Sequence, residues 1–365
     1  MTMSTFDKWD SEFRHRHMAV FNHNPSALLW LKTKTICRKP LLIRFANQNN
    51  IKFQSTRITD QFRELFSHLE QNEKLASALD QFLRQQNNEW YALQNIDEQQ
   101  LKADLYQVTE YTWGGDRNNS LDKFLVSNYV KSISNYEQLL SKQSQIAHNA
   151  WMYVRTSWYN NWTSYLIESI FKRHQRVISA VGEIKSVDFF IDNYPIDLKV
   201  NYLPNEYLTK LLSERLGCSL QQWLKRQAAA LNVPIFNNSR TAITETIEKL
   251  TNAGHTDVIK ELASAQNEII RHIQDNPEPL MKWLYENQGE MRFGAENRIY
   301  LILVDAAQPE QSWKLKRDFD LIKTKVDSYL DNFNQSSLKT ISFTFKGDNY
   351  EAMADIIFVI KHPIF

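Results

Sequence analysis

The chain has 365 residues with 43 Lys plus Arg against 42 Asp plus Glu and 42% hydrophobic residues; at about 150 residues per domain this allows about two domains with a sizeable core, and excludes wholesale disorder. Glycine occurs only 8 times where average usage implies about 25, and neither G-x-G-x-x-G nor G-x-x-x-x-G-K-[ST] is present, so glycine-loop nucleotide binding is set aside. Cys37 and Cys218 stand far apart without a ligand motif, which argues against a disulfide framework or cysteine zinc site and, with no apolar run of signal or membrane-spanning length, leads us to expect a soluble, cytoplasmic protein.

The first 147 residues read as a mostly helical region. Residues 58–87 carry Phe62, Leu65, Phe66 and Leu69, then Leu75, Leu79 and Phe82, at helical spacing, and residues 119–146 repeat the pattern. A short apolar run at 41–45, after Pro40, suggests a strand, and Trp113-Gly114-Gly115-Asp116 suggests a turn. The formal charge of +1 divides into +2 over residues 1–150, +4 over 151–240 and −5 over 241–365. The mildly basic middle is compatible with a polyanionic partner without requiring one.

From residue 148 the pattern changes. Residues 158–174 predict a helix with Trp158, Trp162, Tyr165, Leu166, Ser169 and Ile170 on one face and Lys172, Arg173 and His174 in the last turn. The period then falls to two. Residues 187–192 and 195–202 predict two strands joined by a tight turn at Asn193-Tyr194, with Pro195 first in its strand. Helices follow over 205–231 and 241–274, then a break at 275–279, a buried strand at 299–305, a helix near 316–333 and strands at 341–346 and 356–361. The whole is α/β.

The hairpin holds the chemistry. With that turn, Phe190 pairs with Asp197 and Asp188 with Lys199, placing Asp188, Asp197 and Lys199 on one face and Val187, Phe189, Ile191, Ile196, Leu198 and Val200 on the other. Two carboxylates suit Mg²⁺, which takes hard oxygen ligands and keeps waters and phosphate oxygens. A neighbouring ammonium suits the orientation of a water or the charge developing on a phosphate. The bland alternative is a solvated strand face, since D-x-K triplets are common in soluble proteins.

Asp188, followed nine residues later by Asp197-Leu198-Lys199 on the next strand, resembles the PD-(D/E)xK signature of the restriction-endonuclease-like nuclease superfamily. Val187 stands where that pattern has proline. The resemblance implies a central mixed β-sheet flanked by helices over 148–365, with residues 1–147 serving DNA recognition or dimerisation. It implies Mg²⁺, with Mn²⁺ able to substitute, held by Asp188, Asp197 and an auxiliary acid on the preceding helix, for which Glu168 is the matching position. It further implies hydrolysis of double-stranded DNA, in the manner of a type II restriction enzyme acting as a homodimer beside a cognate DNA methyltransferase. A structure-selective repair or mobile-element nuclease, and a non-catalytic DNA-binding or interaction protein, are the alternatives.

Glu183-Ile184-Lys185 also fits (D/E)-x-K, but no strand-borne Asp precedes it at suitable spacing; Glu183 remains a rival auxiliary acid. Lys172, Arg173 and Arg176 beside the hairpin, and Arg292 and Arg298 before the buried strand, are candidate phosphate contacts. His15, His17 and His23 read as a polar segment rather than a metal site. The aromatic residues of 151–165 read as core more than as a base-stacking surface.

Overall fold

The computed structural model describes residues 4–22, 24–112, 120–182, 184, 186–235, 242–287 and 295–361. Its N-terminal part comprises α1 (Thr5–Arg14), a 3₁₀ turn at Met18–Asn22, α2 (Pro25–Thr35), α3 (Lys39–Gln48), α4 (Ile58–Glu70), α5 (Glu73–Leu93) and α6 (Glu98–Leu105). The run at 41–45, expected to be a strand, is helical. Pro40 sits in the first turn of α3, where a missing N–H is harmless, and Leu42, Phe45 and Ala46 are buried at helical spacing. The stretch at 58–87 is two helices, because the Asn72 side chain accepts the Leu75 N–H at 3.2 Å and starts α5 afresh.

After α7 (Leu121–Leu125) and α8 (Tyr136–Ser141) comes α9 (Gln143–Lys172). Its 30 residues make a rod about 45 Å long. The boundary expected between 147 and 148 falls inside it. Tyr159, Leu166, Ile167 and Phe171 are its buried residues against the sheet, whereas Trp158 is partly exposed. The expected stripe therefore sits one step round the helix; apolar residues surround α9, so the sequence does not single out a face. The expected turn at 113–116 lies outside the described residues.

A six-stranded mixed sheet follows: β1 (Val177–Ser179), β2 (Phe189–Ile191), β3 (Tyr194–Tyr202), β4 (Arg298–Asp305), β5 (Lys339–Phe345) and β6 (Asp348–Lys361), in the order β1-β2-β3-β4-β6-β5. β1, β2 and β3 form an antiparallel meander, β3 and β4 are parallel, β4 and β6 are parallel, and β5 closes the far edge antiparallel to β6. A parallel pair needs a long crossover. Between β3 and β4 it is supplied by α10 (Asn205–Leu216), α11 (Leu220–Ala230), α12 (Ala242–Asn252), α13 (Thr256–Asp275) and α14 (Glu278–Asn287). Gly217, in the left-handed conformation at φ 67°, splits the helix expected over 205–231. A 3₁₀ segment (Pro309–Arg317) and α15 (Phe319–Asn332) lead into the closing hairpin.

One face of the sheet buries Ile196, Leu198, Ile299, Leu301 and Val359 against α9 and α15. The other buries Tyr300, Ile302, Phe343 and Ile356 against α10–α14. β4, buried along its whole length, is the central strand. The N-terminal helices build a third apolar cluster that takes in Ile178, Ile184, Val187 and Phe190 from the meander. The approach is close at Gly182, where an added Cβ would lie 1.8 Å from the Thr35 carbonyl oxygen at the end of α2.

Candidate active site

The hairpin turns one residue earlier than expected. Ile191 pairs with Tyr194, Phe190 with Pro195 and Phe189 with Ile196, so the turn is Asp192-Asn193, with Asp192 at φ 50°. Asp and Asn tolerate that left-handed conformation better than Tyr, which the expected turn required. Pro195 is consequently second in its strand, opposite Phe190 and before the β3–β4 ladder begins at Asp197, where no N–H is required of it. Pairing moves by two residues, so the paired side chains keep their faces, but Val187, expected beside Phe189, packs with Phe190 against the N-terminal helices, and Asp188 now neighbours Asp197 instead of Lys199.

Asp188 stands immediately before β2 and is fastened to both neighbours of Asp197. Its N–H donates to the Ile196 carbonyl at 2.8 Å, and its Oδ2 accepts the Leu198 N–H at 2.8 Å. The carboxylate thus continues the ladder where the backbone of β2 has left it. Asp197 itself is almost fully buried and donates its N–H to the Asn297 carbonyl at 2.9 Å.

Lys199 Nζ lies 2.8 Å from both carboxylate oxygens of Asp197. Its side chain is 42% exposed against 9% for Asp197, so the ammonium reaches outward while the carboxylate stays in. Arg298, the β4 partner of Asp197, approaches it from the protein side with Nε 3.4 Å from Oδ2. The same guanidinium pairs with Glu296 at 3.1 Å and lies over the Tyr285 ring at 4.8 Å. On α9, Glu168 pairs with Lys172 at 2.9 Å.

Burial, then the neighbouring charge of Asp197, lifts the Asp188 carboxyl to about 6; the Leu198 N–H opposes the rise, Glu168 adds to it and Lys172 subtracts. Glu296 is also raised, first by burial, with Arg298 opposing and Asp197 reinforcing the effect. The charges of Asp197 and Glu168 thus both act on Asp188. Among the described residues no three Asp, Glu, His or Cys side chains stand in metal-holding geometry as they are turned here. Mg²⁺ requires only one or two carboxylates, the rest being water and substrate oxygens. The donor chemistry of Asp188 and Asp197 fits such an ion.

The candidate phosphate contacts fare differently. Arg298 is buried among Asp197, Glu296 and Tyr285, where it balances charge and cannot lie along a DNA backbone. Arg173 is bound to Glu98 and stacked over Tyr91. Arg176 holds Asp192 of the hairpin turn at 2.5 Å and the Leu330 carbonyl at 2.8 Å, which fastens the turn to the end of α15. Lys172 pairs with Glu168 and lowers the Asp188 carboxyl by its charge. His15 and His17 contact Ser11 and Glu12 rather than each other's ring nitrogens. Glu183, Lys185, Arg292 and His23 lie outside the described residues.

Glu296 and Asn297 were not foreseen. The Asn297 side chain joins three segments: it donates to the Pro195 carbonyl at 3.0 Å, accepts the Met353 N–H at 3.2 Å and exchanges hydrogen bonds with Asn22. The sequence signal was the placement of Glu296-Asn297-Arg298 directly before an unbroken apolar strand, where charged and polar side chains enter a core only if partnered. No protein-family model matches the chain, and no curated protein or solved structure is significantly similar to it.

Proposed function

We propose that this chain is a divalent-cation-dependent endonuclease with a restriction-endonuclease-like core that hydrolyses phosphodiester bonds of double-stranded DNA, in the manner of a type II restriction enzyme. The observation that carries the reading is the fastening of Asp188 to both neighbours of Asp197, beside an outward-reaching Lys199. Like charges are costly to hold together in a half-buried place, and a divalent cation is the economical reason to do so. The mixed sheet flanked by helices supports the same resemblance.

Asp188 and Asp197 would hold Mg²⁺, with Glu168 an outer acid; bound there, the ion lowers the pKa of a coordinated water and neutralises phosphate charge. Lys199 lies at the boundary between the buried carboxylate and solvent, so its ammonium can orient the attacking water and stabilise the phosphorane-like charge. Water oxygen bonds to phosphorus as its proton passes to solvent, the scissile P–O bond breaks to leave a phosphate monoester, and the departing oxygen takes a proton from solvent water. Arg298 flanks the Asp197 carboxylate from the protein side, with Nε 3.4 Å from Oδ2.

The test is cleavage of plasmid and phage DNA with Mg²⁺, with EDTA, and with Asp197→Ala. Discrete fragments that vanish in both controls are expected. Nicking or smearing that depends on Asp197 would indicate the structure-selective alternative. A second reading draws on the pairing of Asp197 with both Lys199 and Arg298: a self-neutralised hairpin in a non-catalytic DNA-binding protein. It requires Asp197→Ala to leave DNA interactions unchanged and Mg²⁺ to have no effect on them.

A further inference from the structure

The N-terminal helices enclose a cavity of about 760 Å³ that the hairpin chemistry does not use. That volume is in the range of small-molecule sites. Its apolar wall is aromatic: Phe6, Phe13 and Phe62 line it, and the Trp30 ring lies behind them, with centroids 6.0 Å from Phe6, 5.6 Å from Phe13 and 5.3 Å from Phe62. Its charged lining has four cations, Arg14, Arg16, Lys34 and Arg63, against the carboxylates of Asp10 and Asp60.

Two of those cations are already committed, Arg14 to Asp10 at 2.7 Å and Arg63 to Asp7 at 2.7 Å. Lys34 has no ion pair among the described residues. Its ammonium rests instead over rings, 4.9 Å from Phe13, 5.1 Å from Trp30 and 5.6 Å from Phe62. Arg16, held at φ 65° at the end of α1, is likewise unpaired among the described residues. A half-buried ammonium that faces aromatic rings and has no counter-ion among the described residues can take an anion. The ligand must bring both a negative charge and a flat apolar body. Asp60 adds an acceptor for ring or exocyclic N–H groups.

We infer that this cavity binds a nucleotide, its base against Phe13 and Phe62 and its phosphate at Lys34 and Arg16. Ser186, two residues before Asp188, also lines the cavity, so an occupant touches the segment that leads into the proposed active site. The chemistry is shared by two sources, a free mononucleotide and a nucleotide extruded from duplex DNA. Only the second rests on the nuclease reading, because extrusion brings a base of the substrate out of the stack into a pocket.

The test uses the full-length protein in EDTA, so that binding is read without cleavage. Calorimetric titration with dAMP, dGMP, dCMP, dTMP and inorganic phosphate is expected to show at least one deoxynucleotide binding about tenfold or more tighter than phosphate, the margin a stacked base supplies. Lys34→Met and Arg16→Gln should each weaken that nucleotide about tenfold while leaving the matching nucleoside unchanged, and Lys34→Arg should restore it. Arg16 is exposed, so its variant keeps the test valid if Lys34→Met fails to fold. Duplexes carrying 2-aminopurine at successive positions identify the source: a fluorescence rise at one position that Phe13→Ala abolishes marks a DNA-borne nucleotide, and mononucleotide binding without any such rise marks a free one. Equal affinity for phosphate and all four nucleotides, or binding indifferent to both Lys34→Met and Arg16→Gln, would overturn the inference. Neither result bears on Asp197-dependent cleavage, which fails or stands separately.

Discussion

Asp188→Asn offers a quantitative probe of the site in the absence of metal. In the folded protein the Asp188 carboxyl lies at about 6 against 3.8 for a free one, chiefly through burial and then through Asp197. A difference of about two pH units corresponds to about 3 kcal/mol between ionised and neutral forms, an upper bound that partial solvent access reduces to about 1–3 kcal/mol. The direction follows from proton linkage. Below pH about 4 folded and unfolded chains are both protonated here and the site imposes no penalty. As pH rises the unfolded chain releases its proton first, so stability falls between about 4 and 6 and then levels. Asparagine keeps an oxygen to accept the Leu198 N–H and has no charge to bury. Urea unfolding in EDTA should therefore find Asp188→Asn more stable than wild type by about 1–3 kcal/mol at pH 8, with the advantage shrinking to nothing near pH 4. A variant less stable at pH 8, or a difference that does not change with pH, would refute the claim that ionised Asp188 is held there against its electrostatic preference.

The other charges should respond in distinct ways. On the proposed nuclease reading, Lys199→Met should lower DNA cleavage by about 10² or more while changing stability by under about 1 kcal/mol, since the side chain is 42% exposed; cleavage rates set beside urea midpoints test this, and loss of the fold would count against it. Arg298→Met should lose about 3–5 kcal/mol of stability by leaving Glu296 buried without its cation and Asp197 with Lys199 alone. Adding Glu296→Gln should recover part of that loss, as a double-mutant cycle in urea would show. Gly182→Ala, whose Cβ would meet the Thr35 carbonyl oxygen at 1.8 Å, should lower the melting temperature by several degrees; an unchanged melting temperature would mean that the segment before Asp188 is not seated on α2.

The hairpin that holds the candidate site was more legible than its surroundings. Period-two alternation placed β2 and β3 within two residues of their bounds, and the apolar face of Phe189, Ile191, Ile196 and Leu198 was assigned correctly despite the shifted turn, because a displacement of two residues preserves the pleat; Val187, expected on that face, packs with Phe190 against the N-terminal helices. The turn was misplaced because Asn193-Tyr194 looked adequate until the left-handed backbone fell on Asp192. β1 escaped notice because Val177–Ser179 is too short to show a period. Residues 41–45 looked like a strand because a five-residue apolar run cannot separate strand from helix. Glu296 and the buried role of Arg298 needed the third dimension, since their partners come from β3 and α14. The cavity behind Lys34 is assembled from α1, α2 and α4 and leaves no contiguous motif at all.

The double hydrogen bond between Asn22 and Asn297 spans 275 positions of the chain, and the third apolar cluster is completed by Ile178, Ile184, Val187 and Phe190 from the meander. For an engineer this means that the N-terminal helices are not a cartridge. Excising residues 1–147 would lay bare four core side chains and cut α9 near its start, so the remainder should come out of cells as aggregate rather than as a folded fragment. Exchange of those helices between homologues by recombination would face the same obstacle. Changes to those helices are therefore a matter of single substitutions made in place, each tolerated by the segment that carries Asp188 and by β3.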